Sequence, residues 1–162
     1  SKGYKYAPVI IGGKYRNGEG GGVCQVSTTI YNAALLAGLE IVEVHNHTYI
    51  SHYVSGGRDA TVAYGYYDLK FKNPYPIYIK NIVGDGAITT KIYGCKDDIK
   101  RIYVRTEYEY KKQKIIVKTY RVYKNDFGNK SEYIGESYYP PQDKIIIYGT
   151  RELRKWSIKK QL

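Results

Sequence analysis

Methionine is absent from this 162-residue chain, which also has a single Trp, two Phe and two Cys. No apolar run approaches the roughly 20 residues needed to span a bilayer, so no membrane-crossing helix is expected. The first residues, Ser1-Lys2-Gly3-Tyr4-Lys5, lack the apolar core of a signal peptide, so any export signal is expected to have been lost or never present. No internal repeat and no low-complexity tract occurs. A recognition helix, zinc-finger spacing and an aromatic ribonucleoprotein signature are all missing, which makes nucleic acid the weaker choice of partner. The glycine run at residues 20–22 is not followed by Gly-Lys-Ser/Thr, which disfavours a phosphate-cradling loop. Acidic residues are also scarce, 15 against 26 Lys and Arg, for a net charge of +11.

What is present points to a folded, sheet-rich chain. Apolar residues make up 43% and charged residues 25%, near globular averages, which argues against a disordered chain. The 21 tyrosines favour strands with wet faces over a helical bundle, because tyrosine combines strand propensity with a polar tip. Charge is uneven. Residues 1–99 hold 10 basic and 8 acidic side chains, whereas residues 100–162 hold 16 and 7. That asymmetry suits a polyanionic neighbour such as an anionic membrane or acidic wall polymer, and equally a well-solvated surface.

Periodicity predicts the elements. Residues 7–11 read as a short edge strand because of Pro8, and residues 12–22, with six glycines, as a loop. From Gln25 to Ala37, Val26, Ile30, Ala33, Ala34 and Ala37 form one apolar helical face. Ser27, Thr28 and Thr29 are candidate N-terminal caps and Gly38 a candidate C-cap. Leu39–Val44, Ala60–Tyr64 and Leu69–Phe71 read as strands, and residues 45–59 as an extended run. Tyr75–Ile82 and Ile88–Tyr93, joined through Gly84-Asp85-Gly86, read as a hairpin. After a seam at residues 94–100, Arg101–Tyr108, Ile115–Tyr123 and Lys144–Tyr148 read as strands. The roughly 50-residue β segment is too small to bury much core alone, so it is expected to lean on the first domain. Arg151–Leu162 reads as a basic tail with Trp156.

Candidate chemistry centres on Gly20-Gly21-Gly22-Val23-Cys24-Gln25-Val26-Ser27-Thr28-Thr29. A thiol at a helix N-terminus feels the positive end of the macrodipole, which favours the thiolate. Free backbone N–H groups there could form an oxyanion hole. The alternative is a small cysteine packing the helix start. The only three histidines, His45, His47 and His52, lie within eight positions and could supply a general base. A zinc site from one Cys and two or three His is the rival, weakened by the lack of a second short-spaced ligand pair. Arg58 could grip a carboxylate in bidentate fashion; Asp59 could orient a histidine, anchor Arg58 or form a plain turn salt bridge. A Cys24–Cys95 disulfide is a further option, although Cys95 reads as part of a turn closing a strand.

The segment from Gly20 to Ala34, followed by Leu39-Glu40-Ile41-Val42-Glu43, His47, Tyr53-Val54 and Gly57-Arg58-Asp59-Ala60-Thr61-Val62, resembles the VanW domain. The likeness covers roughly residues 3–95. Residues 101–150 more weakly resemble the small β module that often follows this domain, related to wall-adhesion modules. The resemblance implies an envelope protein of Gram-positive bacteria, here a fragment trimmed at its N-terminus. It also implies peptidoglycan chemistry, since some members are regarded as L,D-transpeptidases. Carried over by position, Cys24 matches the family cysteine, His47 the family histidine, and Arg58 and Asp59 the Gly-Arg-Asp-Ala segment. His45 falls where histidine is frequent, and His52 ranks last.

The expectations are therefore an α+β fold, mainly antiparallel sheet with one prominent helix near the cysteine, followed by a small all-β module. Residues 1–98 are expected as the VanW-like domain, 99–150 as the β module and 151–162 as the tail. Cys24, His47, His45 and Asp59 are the expected catalytic residues, with Arg58, Gly22, Gln25 and Ser27 around the substrate. The expected activity is L,D-transpeptidation with carboxypeptidase side activity, by a monomer outside the cell at the wall, acting on stem peptides without cofactor or metal. Anionic wall polymers are expected against the basic C-terminal region. The alternative is a non-catalytic wall-binding module with a structural cysteine.

Overall fold

The computed structural model describes residues 3–11 and 14–141. Its elements make an α+β fold dominated by antiparallel strands around one α-helix. β1 (Tyr6–Ile11) pairs with β2 (Lys14–Glu19) from Tyr6 opposite Glu19 to Ile11 opposite Lys14. Much of the expected glycine loop is thus strand. Gly18 explains part of this: a Cβ there would lie 2.8 Å from Val9 Cγ2, so close pairing needs a bare backbone. Pro8 sits in a strand with one neighbour, which spares its missing N–H.

The helix α1 spans Val23–Leu36, two residues earlier than the apolar spacing predicts. Its N-cap is Gly22, left-handed at φ 89°, with no side-chain cap. Ser27, Thr28 and Thr29 therefore lie inside the helix and do not cap it. Their hydroxyls have other acceptors: Thr29 donates to the Gln25 carbonyl, and Ser27 and Thr28 to the Ala60 carbonyl. The C-terminus closes as a Schellman motif, with Gly38 N–H on the Leu35 carbonyl, Leu39 N–H on that of Ala34, and Gly38 at φ 74°.

β3 (Glu40–Glu43) pairs with β4 (Lys70–Lys72), and β5 (Tyr78–Gly84) with β6 (Ala87–Tyr93) as the expected hairpin. Residues 60–64 are not a strand; they make an isolated bridge at Ala63–Tyr67. Helix hydroxyls and the His45 carbonyl bind their backbone instead: Ala60 N–H donates to Thr28 Oγ1 at 3.0 Å and Thr61 N–H to His45 O at 2.7 Å.

β7 (Ile102–Lys111), β8 (Lys114–Asn125) and β9 (Gly128–Tyr139) form a three-stranded meander. β9 was not legible as a strand, since its first half, Gly128–Glu132, is polar and exposed. The expected strand at 144–148 and the tail at 151–162 lie outside the described residues.

One face of this meander docks on the first ninety residues. Ile115, Val117, Thr119 and Arg121 alternate along β8, with Tyr108 and Tyr139 opposite Val117 and Ile115. Gly56 and Gly57 press into that face: a Cβ on Gly57 would sit 2.5 Å from Thr119 Oγ1 and 2.9 Å from Val117 Cγ1. Buried Arg121 donates to the Leu39 carbonyl at 2.6 Å and pairs with Glu132 at 3.2 Å. Tyr31, Leu35 and Ala60 form a core cluster that reaches Val104 and Ile134 of the meander.

Candidate active site

Cys24 is the second residue of α1, two positions past the left-handed Gly22. In the first turn, Val23 N–H donates to Gly20 O, and Gln25 and Val26 N–H both donate to Gly22 O. The Cys24 N–H has no backbone acceptor among the described residues. As one of the first N–H groups of the helix, it points its donor toward the positive end beside its own sulfur. Gly21 makes the tight entry: a Cβ there would fall 2.8 Å from the Ala7 carbonyl carbon.

The sulfur has two polar partners. Its Sγ lies 3.6 Å from the Val62 carbonyl oxygen, and His47 is the neighbouring group that lowers its pKa. His47 is held in turn by Asp59. Asp59 Oδ2 accepts from His47 Nδ1 at 2.7 Å and from the His47 backbone N–H at 2.6 Å. With Nδ1 so occupied, Nε2 is the ring nitrogen left for the thiol. The Asp59 side chain is fully buried, so both its oxygens need donors; the second, Oδ1, accepts from the Tyr139 hydroxyl.

Electrostatics follow from this chain of bonds. Burial pushes the Cys24 thiol up, but neighbouring His47 and the Val62 backbone outweigh it and leave the pKa below its ordinary value. Burial pulls His47 down, yet the Asp59 bond and charge, with the thiol's contribution, raise it to about 9. Burial and the neighbouring Asp59 charge drive the Tyr139 phenol far above its ordinary range, so it stays protonated and can only donate to Asp59. A thiol of lowered pKa beside a histidine held by a buried carboxylate is an arrangement suited to acyl transfer.

Other expected site residues are placed differently. His45 is not brought to the thiol: its Nε2 bonds Glu43 Oε1 at 3.0 Å and its ring lies 4.7 Å from that of Tyr67. His52 packs edge-on against Tyr53. Ser27 tethers the helix to the facing segment: its buried hydroxyl is 2.6 Å from the Ala60 carbonyl and 3.1 Å from that of Cys24. Arg58 donates from Nε to Asn32 Oδ1 at 2.7 Å, and Asn32 returns a bond to the Arg58 carbonyl. Asn32 lies about 12 Å along the helix from Cys24, at 1.5 Å per residue, so Arg58 is fastened to the helix flank away from the thiol. Gly22 shapes the entry turn, and Gln25 is exposed beside it.

Three participants were not singled out by residue pattern. Ser51 Oγ sits 3.4 Å from His47 Nδ1. Tyr53 meets the His47 ring edge-on at 6.3 Å. Tyr139 has no local signature, being one tyrosine of 21 and 80 positions from Asp59.

Cys24 and Cys95 are both free thiols. Cys95 lines a recess of about 220 Å³ with Leu36, Leu39 and Ile99, at the opposite end of α1. The helix between them is about 20 Å long, so this fold does not permit the disulfide. Among the described residues no group of three His, Cys, Asp or Glu has metal-site geometry.

The model of the family described as VanW like protein matches residues 1–93. Over 95 residues the chain is 46% identical to a Bacillus subtilis (strain 168) protein described as "Uncharacterized protein YoaR", covering 57% of this chain and 31% of that one. The chain thus spans about a third of that relative's length. No solved structure matches it. The matched segment includes Cys24, His47 and Asp59 and ends before the three-stranded meander: this chain belongs to the VanW-like protein family.

Proposed function

We propose that the chain is a cysteine-dependent L,D-transpeptidase of the bacterial cell wall. The observation that carries this reading is Cys24 in the first turn of α1, its pKa lowered by a His47 whose ring is bonded to buried Asp59.

In this reading the donor is a tetrapeptide stem. The Cys24 thiolate attacks the carbonyl carbon of the amide between diaminopimelate and the terminal D-alanine. Negative charge then develops on the carbonyl oxygen, where the unpaired Cys24 N–H is a ready donor. The C–N bond breaks as imidazolium His47 gives its proton to the departing amine. Free D-alanine leaves, and a thioester remains on Cys24. An amine from a second stem next attacks the thioester and passes a proton to His47, the C–S bond breaks, and a 3–3 cross-link forms. Water in place of the amine gives carboxypeptidase action. Asp59 fixes the Nδ1–H tautomer and stabilises the imidazolium throughout.

The site of action is the wall outside the cell, on stem peptides. The basic excess of residues 100–162 serves to hold the enzyme against anionic wall polymers. The test is incubation with disaccharide tetrapeptides, read by mass spectrometry. Wild type yields cross-linked dimers and free D-alanine; Cys24→Ala yields neither. Wild type that binds muropeptide but releases no D-alanine would instead identify a wall-binding module.

A further inference from the structure

We infer that Tyr139, on the last strand of the C-terminal meander, is a positioning residue for the cysteine site, locking the Asp59 carboxylate and so making the meander part of the catalytic unit. The inference rests on reading Cys24, His47 and Asp59 as acyl-transfer machinery. It goes further by giving a role to a residue 46 positions beyond the end of the family match at residue 93.

The geometry is specific. The Tyr139 hydroxyl donates to Asp59 Oδ1 and accepts from the Gly57 N–H at 2.7 Å. Gly57 is two residues before Asp59, so one phenol oxygen fixes both the carboxylate and the backbone that carries it. Asp59 has two oxygens and no water-facing surface; Oδ2 serves His47 twice, which leaves Oδ1 to Tyr139. Tyr139 is itself 2% exposed and packs with Ile115 and Val117, so its ring cannot swing away. Thr119 Oγ1 donates to the Gly57 carbonyl at 2.8 Å and helps dock the same loop, yet makes no bond to Asp59. The two residues separate holding the loop from aiming the carboxylate.

Without the hydroxyl, the carboxylate can rotate off His47. The imidazolium then loses its counter-charge in register and the thiolate loses its partner. A hydrogen bond to a buried charge corresponds to roughly a 10- to 100-fold effect.

The experiment compares wild type, Tyr139→Phe and Thr119→Val in the full chain. It reads kcat and KM for D-alanine release, and the pH midpoint of Cys24 alkylation by iodoacetamide. For Tyr139→Phe we expect kcat to fall about 10- to 100-fold, with KM within about twofold and the alkylation midpoint moved to higher pH. Thr119→Val should lower the thermal midpoint yet leave kcat and the alkylation midpoint in place. The inference is overturned if Tyr139→Phe keeps both wild-type values, or if Thr119→Val shifts them equally. Wild type with an ordinary thiol midpoint and no D-alanine release would overturn the acyl-transfer reading itself. In wild type the Tyr139 hydroxyl proton should also appear by NMR as a slowly exchanging resonance with a cross-peak to the Gly57 amide. Its absence counts against the inference whatever the variants' folding.

Discussion

A single oxygen of Asp59, Oδ2, accepts both the ring Nδ1–H of His47 at 2.7 Å and the backbone N–H of the same residue at 2.6 Å. The histidine is thus held at two points by one carboxylate. Its ring plane and its place in the chain are therefore fixed together before substrate arrives.

Replacing the carboxylate should separate charge from shape. Asp59→Asn keeps the side-chain volume but removes the counter-charge from His47 and puts N–H donors where acceptors are needed. We expect kcat to fall about 10²- to 10⁴-fold, the usual range for losing correct acid–base function. Steady-state D-alanine release measures it, and a loss below tenfold would contradict the role given to Asp59.

Activity should follow a bell-shaped pH profile. The thiolate–imidazolium pair is populated between the lowered Cys24 value and about 9, where His47 gives up its proton. As the pH rises through about 9 the imidazolium that protonates the departing amine is progressively lost, so kcat should decline; the two midpoints belong to the pair and not to either residue. A profile still rising at pH 10 would contradict this pairing.

Stability should depend on pH with a definite sign. His47 has a raised pKa in the folded protein, so its contribution is complete below the unfolded value of about 6.5 and is lost as the pH rises toward about 9. Cys24 works in the opposite sense, because its lowered value favours the fold more as the pH rises toward 9.0. Comparing Cys24→Ala with Cys24→Ala/His47→Gln isolates the histidine. Urea unfolding should show the gap between them largest near pH 6 and shrinking as the pH rises above 6.5.

The two neighbouring histidines should behave differently. His47→Gln should abolish turnover. His45→Gln should change kcat less than about twofold, since a half-exposed His45–Glu43 pair of this kind contributes little. Comparable losses from both would overturn the assignment of His47 as base.

Gly57→Ala tests the docking loop. It places a Cβ at φ 76°, where only glycine is relaxed, and against Thr119 and Val117. The expected cost is about 2 kcal/mol or more, read as a lowered urea midpoint. A neutral effect would mean that the meander does not dock as described.

The residue types and their spacing carried much of this in advance. The apolar face of α1 was readable from Val26, Ile30, Ala33, Ala34 and Ala37, and the Gly84-Asp85-Gly86 hairpin from its turn. The helix start was misplaced because Ser27 and Thr28 carry cap-like hydroxyls that serve Ala60 across the fold, and a glycine caps the end instead. His45 could not be separated from His47 by spacing, since the two are only two positions apart; what separates them is Glu43 beside one and Asp59 beside the other. β9 was hidden because Asn129-Lys130-Ser131-Glu132 has no apolar alternation, and β8 supplies the pairing that makes it a strand. With β9 hidden, the place of Tyr139 was hidden too.

The most direct test of the central claim is the intact mass of the protein, acid-quenched within seconds of mixing with a tetrapeptide stem. Acyl transfer through Cys24 predicts an adduct equal to the donor less one D-alanine, cleaved by hydroxylamine and absent from Cys24→Ala. Wild type that releases D-alanine without ever carrying such an adduct, or an adduct that persists in Cys24→Ala, would contradict it.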